Sequence, residues 1–177
     1  MIKPVKTTLP RHSKAEYLAR DAYFYDAWAI PAANPALDPL EQFLRVLRAT
    51  PPWVDHLMVL RNRVVGLLGL KDLGELSGVD VAKPSVAYVE GERVGIFTLV
   101  DKGECEVLLG DDDKHLNVVV SVHKEEDASS GEAIVTVSTV VHVKNWLGRM
   151  YMLPVAPAHY FIARAMTKKI GESIAEV

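Results

Sequence analysis

The hydrophobic period of this chain changes from helical to two-residue near residue 86, and that change limits the folds open to it. Beyond this point, segments 94–100, 104–109, 116–123 and 133–143 alternate apolar and polar side chains, as β-strands do. The joins between them are short and polar, and short joins connect antiparallel neighbours. The sequence therefore predicts a β-meander of four strands.

Helical patterns stand on both sides of the meander. The first has an Asp38 cap and a one-sided apolar pattern, made by Leu40, Phe43, Leu44 and Leu47. A second helix is predicted to begin after Thr50 and to end near Gly66 or Gly69. A third covers 146–172, where Pro154 and Pro157 must kink it or divide it into two stacked segments.

Two further elements are predicted near the N-terminus. The spacing of Ser13 and Glu16 is that of a capping box, so a short helix should begin there. The aromatic-rich segment 22–30 fits a strand that ends at Pro31. Residues 1–177 should form one α+β domain in which an antiparallel β-meander packs under a long kinked C-terminal helix, with a mobile loop at about 71–85.

Composition excludes several classes of function. A net charge of −3, without a basic stripe, argues against nucleic-acid binding. Cys105 is the only cysteine, so no disulfide can form within the chain, and its alternation with Val107 and Leu109 predicts a small core residue. Arg61 and Arg63 interrupt the longest apolar segment, so no membrane span is expected. The first residues lack the apolar stretch of a signal peptide, which favours the cytoplasm.

The two faces of the predicted sheet differ in polarity. Strand 133–143 has one apolar face that only Thr139 interrupts, and strand 116–123 repeats the pattern. These faces should lie beneath the C-terminal helix, and the opposite faces should meet solvent or a partner. The polar sets are Asn117, Ser121 and His123 on one strand and Thr136, Ser138 and His142 on the other. We interpret both histidines as solvated and expect no metal site, because Asp111 to His115 lack the oxygen spacing of a calcium loop.

Arg61 is the charged residue whose position is most informative. With Leu57 at the centre of the apolar face of helix 51–68, a rotation of about 100° per residue places Arg61 roughly 40° away. A guanidinium there must be paired, because an unpaired buried charge is costly. The partner is either an internal carboxylate, such as Asp26 or one of residues 111–113, or an anionic ligand.

His159 and Tyr151 are candidates in the C-terminal helix. His159 is at the edge of the apolar stripe, which includes Met150, Tyr151, Val155 and Phe161. If a cavity opens beneath this helix, both side chains can reach it. The alternative is a histidine that is satisfied at a helix boundary.

Three stretches resemble a bacterial family of uncharacterised proteins within the START/SRPBCC helix-grip superfamily. They are Pro52-Trp53-Val54 with residues 60–63, residues 107–116, and residues 145–151. The superfamily includes birch-pollen-allergen-like and polyketide-cyclase-like proteins. The resemblance implies a helix-grip fold with a hydrophobic pocket between the sheet and the last helix, and it assigns no catalytic residue.

The predicted function is binding of a small hydrophobic or amphipathic ligand, which an arginine would suit if the ligand is anionic. The residues expected to contact it are Arg61, Trp53, Tyr151, His159 and Thr139. Two alternatives remain open: a cyclase- or hydratase-like enzyme that uses the same pocket, and an interaction module whose core is filled. We expect no cofactor, and a homodimer is compatible with the sequence.

Overall fold

A computed structural model describes residues 2–66, 78–80 and 82–172. Its sheet has seven strands in the order β1-β2-β7-β6-β5-β4-β3, and every neighbouring pair is antiparallel. The strands are β1 (Val5–Lys6), β2 (Phe24–Pro31), β3 (Arg93–Val94), β4 (Phe97–Lys102), β5 (Glu106–Asp112), β6 (Leu116–Glu126) and β7 (Ala133–Val143). The predicted meander is confirmed, and most of the predicted loop at 71–85 lies outside the described residues.

The first strand of the predicted meander is divided in two. Between β3 and β4 the chain turns at Gly95, whose φ of 59° is in the left-handed region that glycine tolerates. Val94 and Phe97 therefore face each other across a tight turn. The sequence pattern, read as continuous alternation over 94–100, did not reveal this turn.

In the part of the chain that the structure describes, four α-helices accompany the sheet: α1 (Lys14–Leu18), α2 (Pro39–Arg48), α3 (Pro52–Gly66) and α4 (Trp146–Ile170). Short 3₁₀ helices cover Ala19–Asp21 and Ser85–Ala87. The Asp38 side chain accepts from the Glu41 amide at the start of α2, as predicted. Helix α4 continues through Pro154 and Pro157, so the alternative of two stacked segments is wrong.

The apolar core lies between α2, α4 and one face of the sheet, and it is divided into two clusters. The larger cluster includes Leu44, Leu109, Val122 and Ile170, with Val137 and Ile162 packed against it. The smaller cluster consists of Leu116, Val141 and Met152, with Phe24, Val118 and Val155 among its neighbours. We name this sheet face the helical face.

The opposite face of the sheet is not the solvated surface that the sequence predicted. Ser121, Thr136 and Ser138 are buried there, whereas Asn117 and His142 are half-buried. The N-terminal segment with α1 covers these strands, and Ala15 is 0% exposed. The strand register confirms which residues share each face. The predicted ranking of their exposure is wrong, because the polar face is largely buried and Val118 and Val137 are only half-buried.

Helix α4 is rotated relative to the predicted wheel. Met150 and Phe161 were expected on the inner stripe, but they are 55% and 64% exposed. The residues that α4 buries are Gly148, Met152, Ala163, Thr167 and Ile170. A Cβ on Gly148 would lie 2.5 Å from the backbone oxygen of His115, so close approach of the backbones fixes which side of α4 faces the sheet.

Helix α3 shows a similar difference. Leu57, taken as the centre of its apolar face, is 38% exposed, and Leu60 is 57% exposed. Its buried side contains Val54, with Met58 packed against the core and Arg61 half-buried. Among the helices that the structure describes, none combines the length and apolarity needed to cross a lipid bilayer.

Candidate functional site

Three polar residues separate the two core clusters on the helical face. Asp26 follows Phe24 of the smaller cluster and precedes Ile30 of the larger cluster along β2. In β7, Thr139 occupies the same position between Val137 and Val141. His159 comes between Val155 and Ile162 of α4. We name Asp26, Thr139 and His159 the polar row.

The strand register brings the members of the polar row together. Asp26 and Thr139 are direct partners across the β2–β7 pair, and side chains of opposed residues share a face with Cβ atoms about 5 Å apart. His159 reaches the row from α4, which packs on both β2 and β7. The row therefore joins one side chain from each of three elements.

Asp26 is a buried carboxylate that two side chains hold. Its side chain is 5% exposed, and its Oδ1 lies 3.2 Å from His159 Nε2. The indole Nε1 of Trp28 donates to Oδ2 at 3.1 Å. Because a carboxylate accepts and does not donate, this arrangement places a proton on His159 Nε2.

The other polar atoms of the row make no hydrogen bond to any residue that the structure describes. With Nε2 carrying the proton, Nδ1 of a neutral His159 keeps its lone pair. Its side chain is 22% exposed, so the ring reaches the surface at one edge. The ring also makes an edge contact with Phe24, with centroids 5.7 Å apart. Thr139 is 5% exposed, and its hydroxyl likewise has no partner within residues 2–66, 78–80 and 82–172.

A second polar contact joins α3 to α4. Arg61 Nε donates to Tyr151 Oη at 3.1 Å, and the guanidinium lies 5.6 Å from the centroid of the same ring. Arg61 Nη1 also donates to Asn62 Oδ1 at 2.9 Å. Asp26, one of the predicted partners of Arg61, is instead engaged by Trp28 and His159. Arg61 is half-buried, so it is neither enclosed in the core nor extended into solvent.

The two polar groups lie along the same helix. Tyr151 and His159 are two turns apart in α4, which is about 12 Å along the helix axis. Val155, between them, belongs to the smaller apolar cluster. The order along this side of α4 is therefore polar, apolar, polar.

Trp53 is placed differently from the other predicted site residues. It is 42% exposed in the first turn of α3, and it makes no hydrogen bond or ring contact with the polar row or with Tyr151. The structure thus places Thr139 opposite Asp26, the partner of His159, and pairs Arg61 with Tyr151, but it does not add Trp53 to either group.

Sequence reasoning missed the role of Asp26. The signal was present, because the period-two pattern puts Asp26 on the same strand face as Phe24, Trp28 and Ile30. A single carboxylate on an otherwise apolar strand face must find a partner. The partner could not be named, because it depends on the rotation of α4.

Other candidates contribute little to this site. Cys105 is exposed, so the prediction of a core cysteine is wrong; it precedes β5 and does not share that strand's alternation. Across the described part of the chain, no three His, Cys, Asp or Glu side chains are grouped as metal ligands. A shallow depression of about 200 Å³ near the start of α4 does not include the polar row; it is lined by Val143, Lys144, Asn145, Trp146 and Arg149.

Comparison with known proteins identifies a family but no characterised relative. No curated protein and no solved structure matches the chain. One family matches, described as "Protein of unknown function (DUF2867)", and the match covers residues 18–166. These residues include β2, α4 and every member of the polar row, so the chain belongs to the DUF2867 family.

Proposed function

We propose that this protein binds a small amphipathic ligand beneath α4, against the helical face of the sheet. The observation that carries the proposal is the polar row between two apolar clusters. Ligand sites are mostly apolar, with a few polar groups that fix orientation. The row supplies such groups, namely His159 Nδ1 and the Thr139 hydroxyl.

The surroundings of the row favour a ligand with an apolar part. Phe24 contacts the His159 ring, and Val118 and Val155 pack in the smaller cluster on the same side. The Thr139 hydroxyl has no partner among the described residues, so a ligand group can form a hydrogen bond with it, worth about 0.5–1.5 kcal/mol.

We further propose that an anionic end of the ligand is recognised by Arg61 and Tyr151. A guanidinium presents several donors to a carboxylate, and Tyr151 holds this one by a hydrogen bond and a cation–π contact. Because this pair is about 12 Å from His159 along α4, the proposed ligand is elongated. Its apolar middle would contact Val155.

The helix-grip resemblance belongs to the same proposal. An α+β chain in which the strand before two helices pairs with the last strand of a meander, followed by a long helix, is consistent with that fold. A cytoplasmic location and a bacterial family are part of this proposal too. Fold analogy alone does not assign a ligand, and the polar row is the feature that supports one here.

The proposal is tested first by native mass spectrometry of the protein purified from its own host, which should show a retained small molecule. The second test is thermal unfolding with straight-chain carboxylates from octanoate to dodecanoate. A ligand at a concentration one hundred times its Kd stabilises the folded state by about 2.7 kcal/mol. Absence of a retained molecule, together with no shift in Tm across the series, would contradict the proposal.

Variants locate the binding site. Arg61→Ala and Tyr151→Phe should reduce the ligand-dependent shift in Tm, and Thr139→Val should reduce it without touching Arg61. Arg63→Ala is the matched control, because Arg63 is exposed on the same helix. The Tm of each variant without ligand separates a loss of binding from a loss of stability.

A further inference from the structure

We infer that His159 is a general base that removes a proton from the carbon next to the carbonyl of an amphipathic oxo acid, with Asp26 as its positioning residue. This inference rests on the proposed function, because it names the ligand class and the chemistry of the same site. It adds an activity that ligand binding alone does not require.

The orientation of His159 suits a general base. A general base needs a lone pair that points toward the substrate and a partner that stabilises the charge it acquires. Asp26 accepts from Nε2 at 3.2 Å and is itself 5% exposed on its side chain, so it fixes the ring and stabilises an imidazolium. Nδ1 makes no hydrogen bond to the described residues and is the atom that takes the proton.

The hydroxyl of Thr139 can stabilise the charge that this reaction creates. When a proton leaves the carbon next to a carbonyl, negative charge develops on the carbonyl oxygen. Thr139 is opposite Asp26 in the strand register and is 5% exposed. Its hydroxyl, unengaged among the described residues, can donate to that oxygen.

The proton transfer is balanced within the site. The C–H bond breaks, its proton forms a bond to His159 Nδ1, and its electron pair moves into the carbonyl group to give an enolate. Asp26 remains ionised beside the imidazolium. Return of a proton from Nδ1 to carbon restores the oxo acid, so the step needs no oxidant, reductant or co-reactant.

The neighbouring side chains favour this reaction over hydrolysis. Phe24 and Val155 are apolar and supply no group that would activate a water molecule for hydrolysis. The row contains one hydroxyl and no thiol, so it offers proton transfer rather than attack by a thiolate. The anionic end of an oxo acid matches the Arg61–Tyr151 pair.

The test is the exchange of hydrogen for deuterium at the carbons next to the carbonyl of 9-oxodecanoate and 10-oxoundecanoate, whose carbonyl is far enough from the carboxylate to lie at His159 when the carboxylate lies at Arg61. Proton NMR in D₂O measures the exchange rate with and without the protein, and saturation-transfer NMR measures binding of the same probes. Wild-type protein should accelerate exchange. His159→Gln should slow it by about 10²–10⁴-fold, the usual contribution of a general base, and still bind 10-oxoundecanoate.

The Asp26→Asn variant tests whether Asp26 sets the tautomer of His159, which a purely structural role would not affect. Long-range ¹H–¹⁵N NMR should show His159 protonated at Nε2 in the wild type and a mixture of tautomers in this variant, with slower exchange. His142→Gln is the matched control. His142 also pairs with an aspartate, Asp21, at 3.3 Å, but from the opposite face of the sheet, so exchange should be unchanged.

The outcomes separate the two proposals. Binding of the probes without accelerated exchange overturns the general base and leaves ligand binding standing. A neutral His159 protonated at Nδ1 also overturns it, because Nδ1 then lacks the lone pair. Failure of both oxo acids to bind, while octanoate or a retained ligand does bind, overturns the substrate class. If the His159→Gln variant accelerates exchange as strongly as the wild type, His159 is not the base.

Discussion

Glu106 and Asp26 are both buried carboxylates, but they lie on opposite faces of the sheet and are held by different kinds of partner. Glu106 accepts from the backbone amides of Lys14 and Ala15, at 2.8 and 3.3 Å, and from the Ser121 hydroxyl at 2.6 Å. Among the described residues, Asp26 accepts only from side chains, those of Trp28 and His159.

The difference shows how one sheet can carry a carboxylate that stabilises the fold and another that orients a side chain for a reaction. The partners of Glu106 include two main-chain groups, so the carboxylate fastens the first turn of α1 to β5. One partner of Asp26 is an imidazole, whose two ring nitrogens can each donate or accept a proton. The same residue class therefore anchors the chain on one face and orients a base on the other.

The comparison also concerns what is left unpaired. Without Glu106, the amides of Lys14 and Ala15 and the hydroxyl of Ser121 would lack hydrogen-bond partners beneath α1. Beside Asp26, the lone pair of His159 and the hydroxyl of Thr139 remain unengaged within the described residues. Both groups are therefore available to a ligand, although Ser138 Oγ, on the same face of the sheet as Ser121, is also buried without a partner among the described residues.

The largest effect is expected for Glu106→Ala. This change leaves two amides and one hydroxyl beneath α1 without an acceptor, so the free energy of unfolding should fall by about 3–5 kcal/mol. Urea denaturation measures the change, and hydrogen exchange should show loss of protection first in α1. Glu104→Ala, at an exposed position two residues earlier, should change stability by less than about 0.5 kcal/mol.

An equally small effect of both glutamate variants would contradict the anchoring role of Glu106. It would mean that water replaces the carboxylate at no net cost. In that case the contrast between the two buried carboxylates would rest on their partners alone and not on their contribution to stability.

The next effect is expected for Gly148→Ala, at the point where α4 meets the sheet. The added Cβ would lie 2.5 Å from the His115 backbone oxygen and 3.1 Å from Val143 Cγ1, so the helix or the turn must move. Overpacking of this kind costs about 1–3 kcal/mol, partly offset by the better helix propensity of alanine. Thermal unfolding measures the net loss, with the exposed neighbour variant Arg149→Ala as control.

Gly148→Ala also tests whether the rotation of α4 holds His159 in place. A shift of the helix should weaken the hydrogen bond between Asp26 and His159, which the ¹⁵N signals of the imidazole report. If stability falls while the ¹⁵N signals stay unchanged, the packing of α4 on the sheet at Gly148 does not control the hydrogen bond between Asp26 and His159.

A smaller effect of opposite sign should distinguish the hydroxyls on the two faces. Thr139→Val replaces a hydroxyl that has no partner among the described residues by a methyl group of similar size. It should therefore raise the free energy of unfolding by about 1 kcal/mol. Ser121→Ala removes a donor to Glu106 and should lower it by about 1 kcal/mol. If both variants are destabilising, Thr139 is not an unpaired group.

The sequence predicted the meander and most helix boundaries, because these depend on local signals. Asp38 with Pro39 marks the start of α2, and period-two alternation marks β6 and β7. The same alternation placed Thr139 on the inner face. The division at Gly95 was missed because it depends on a single backbone conformation.

The polar row was only partly predictable, because its geometry depends on how α4 is rotated. Hydropathy alone favours burial of Met150 and Phe161, whereas the helix instead buries Gly148 and Ala163 and turns His159 toward Asp26. Small residues let α4 approach the sheet closely, and whether they do so depends on the shapes of both surfaces. The pattern of one strand or one helix therefore does not predict how α4 is rotated.

The smallest effect concerns Asp127, a carboxylate at the surface. It resembles Glu106 in its partners, since it accepts from the amides of Ser129 and Ser130, at 2.9 and 2.8 Å, in the turn between β6 and β7. Hydrogen bonds from Ser129 and Ser130 lower the pKa of Asp127 to about 2. Because the folded value is below the unfolded value, the contribution of this carboxylate to stability is complete above pH 3.8, the ordinary pKa, and is lost as pH falls through about 2.

NMR titration of the amides of Ser129 and Ser130 should therefore give a common midpoint near pH 2, and Asp127→Asn should remove that transition. A midpoint near 4 at both serines would mean that the turn hydrogen bonds do not favour the ionised carboxylate. Hydrogen bonds from two backbone amides would then be too weak to favour an ionised carboxylate at the surface. Because Glu106 accepts the same kind of hydrogen bonds, its contribution to stability would have to depend on its burial.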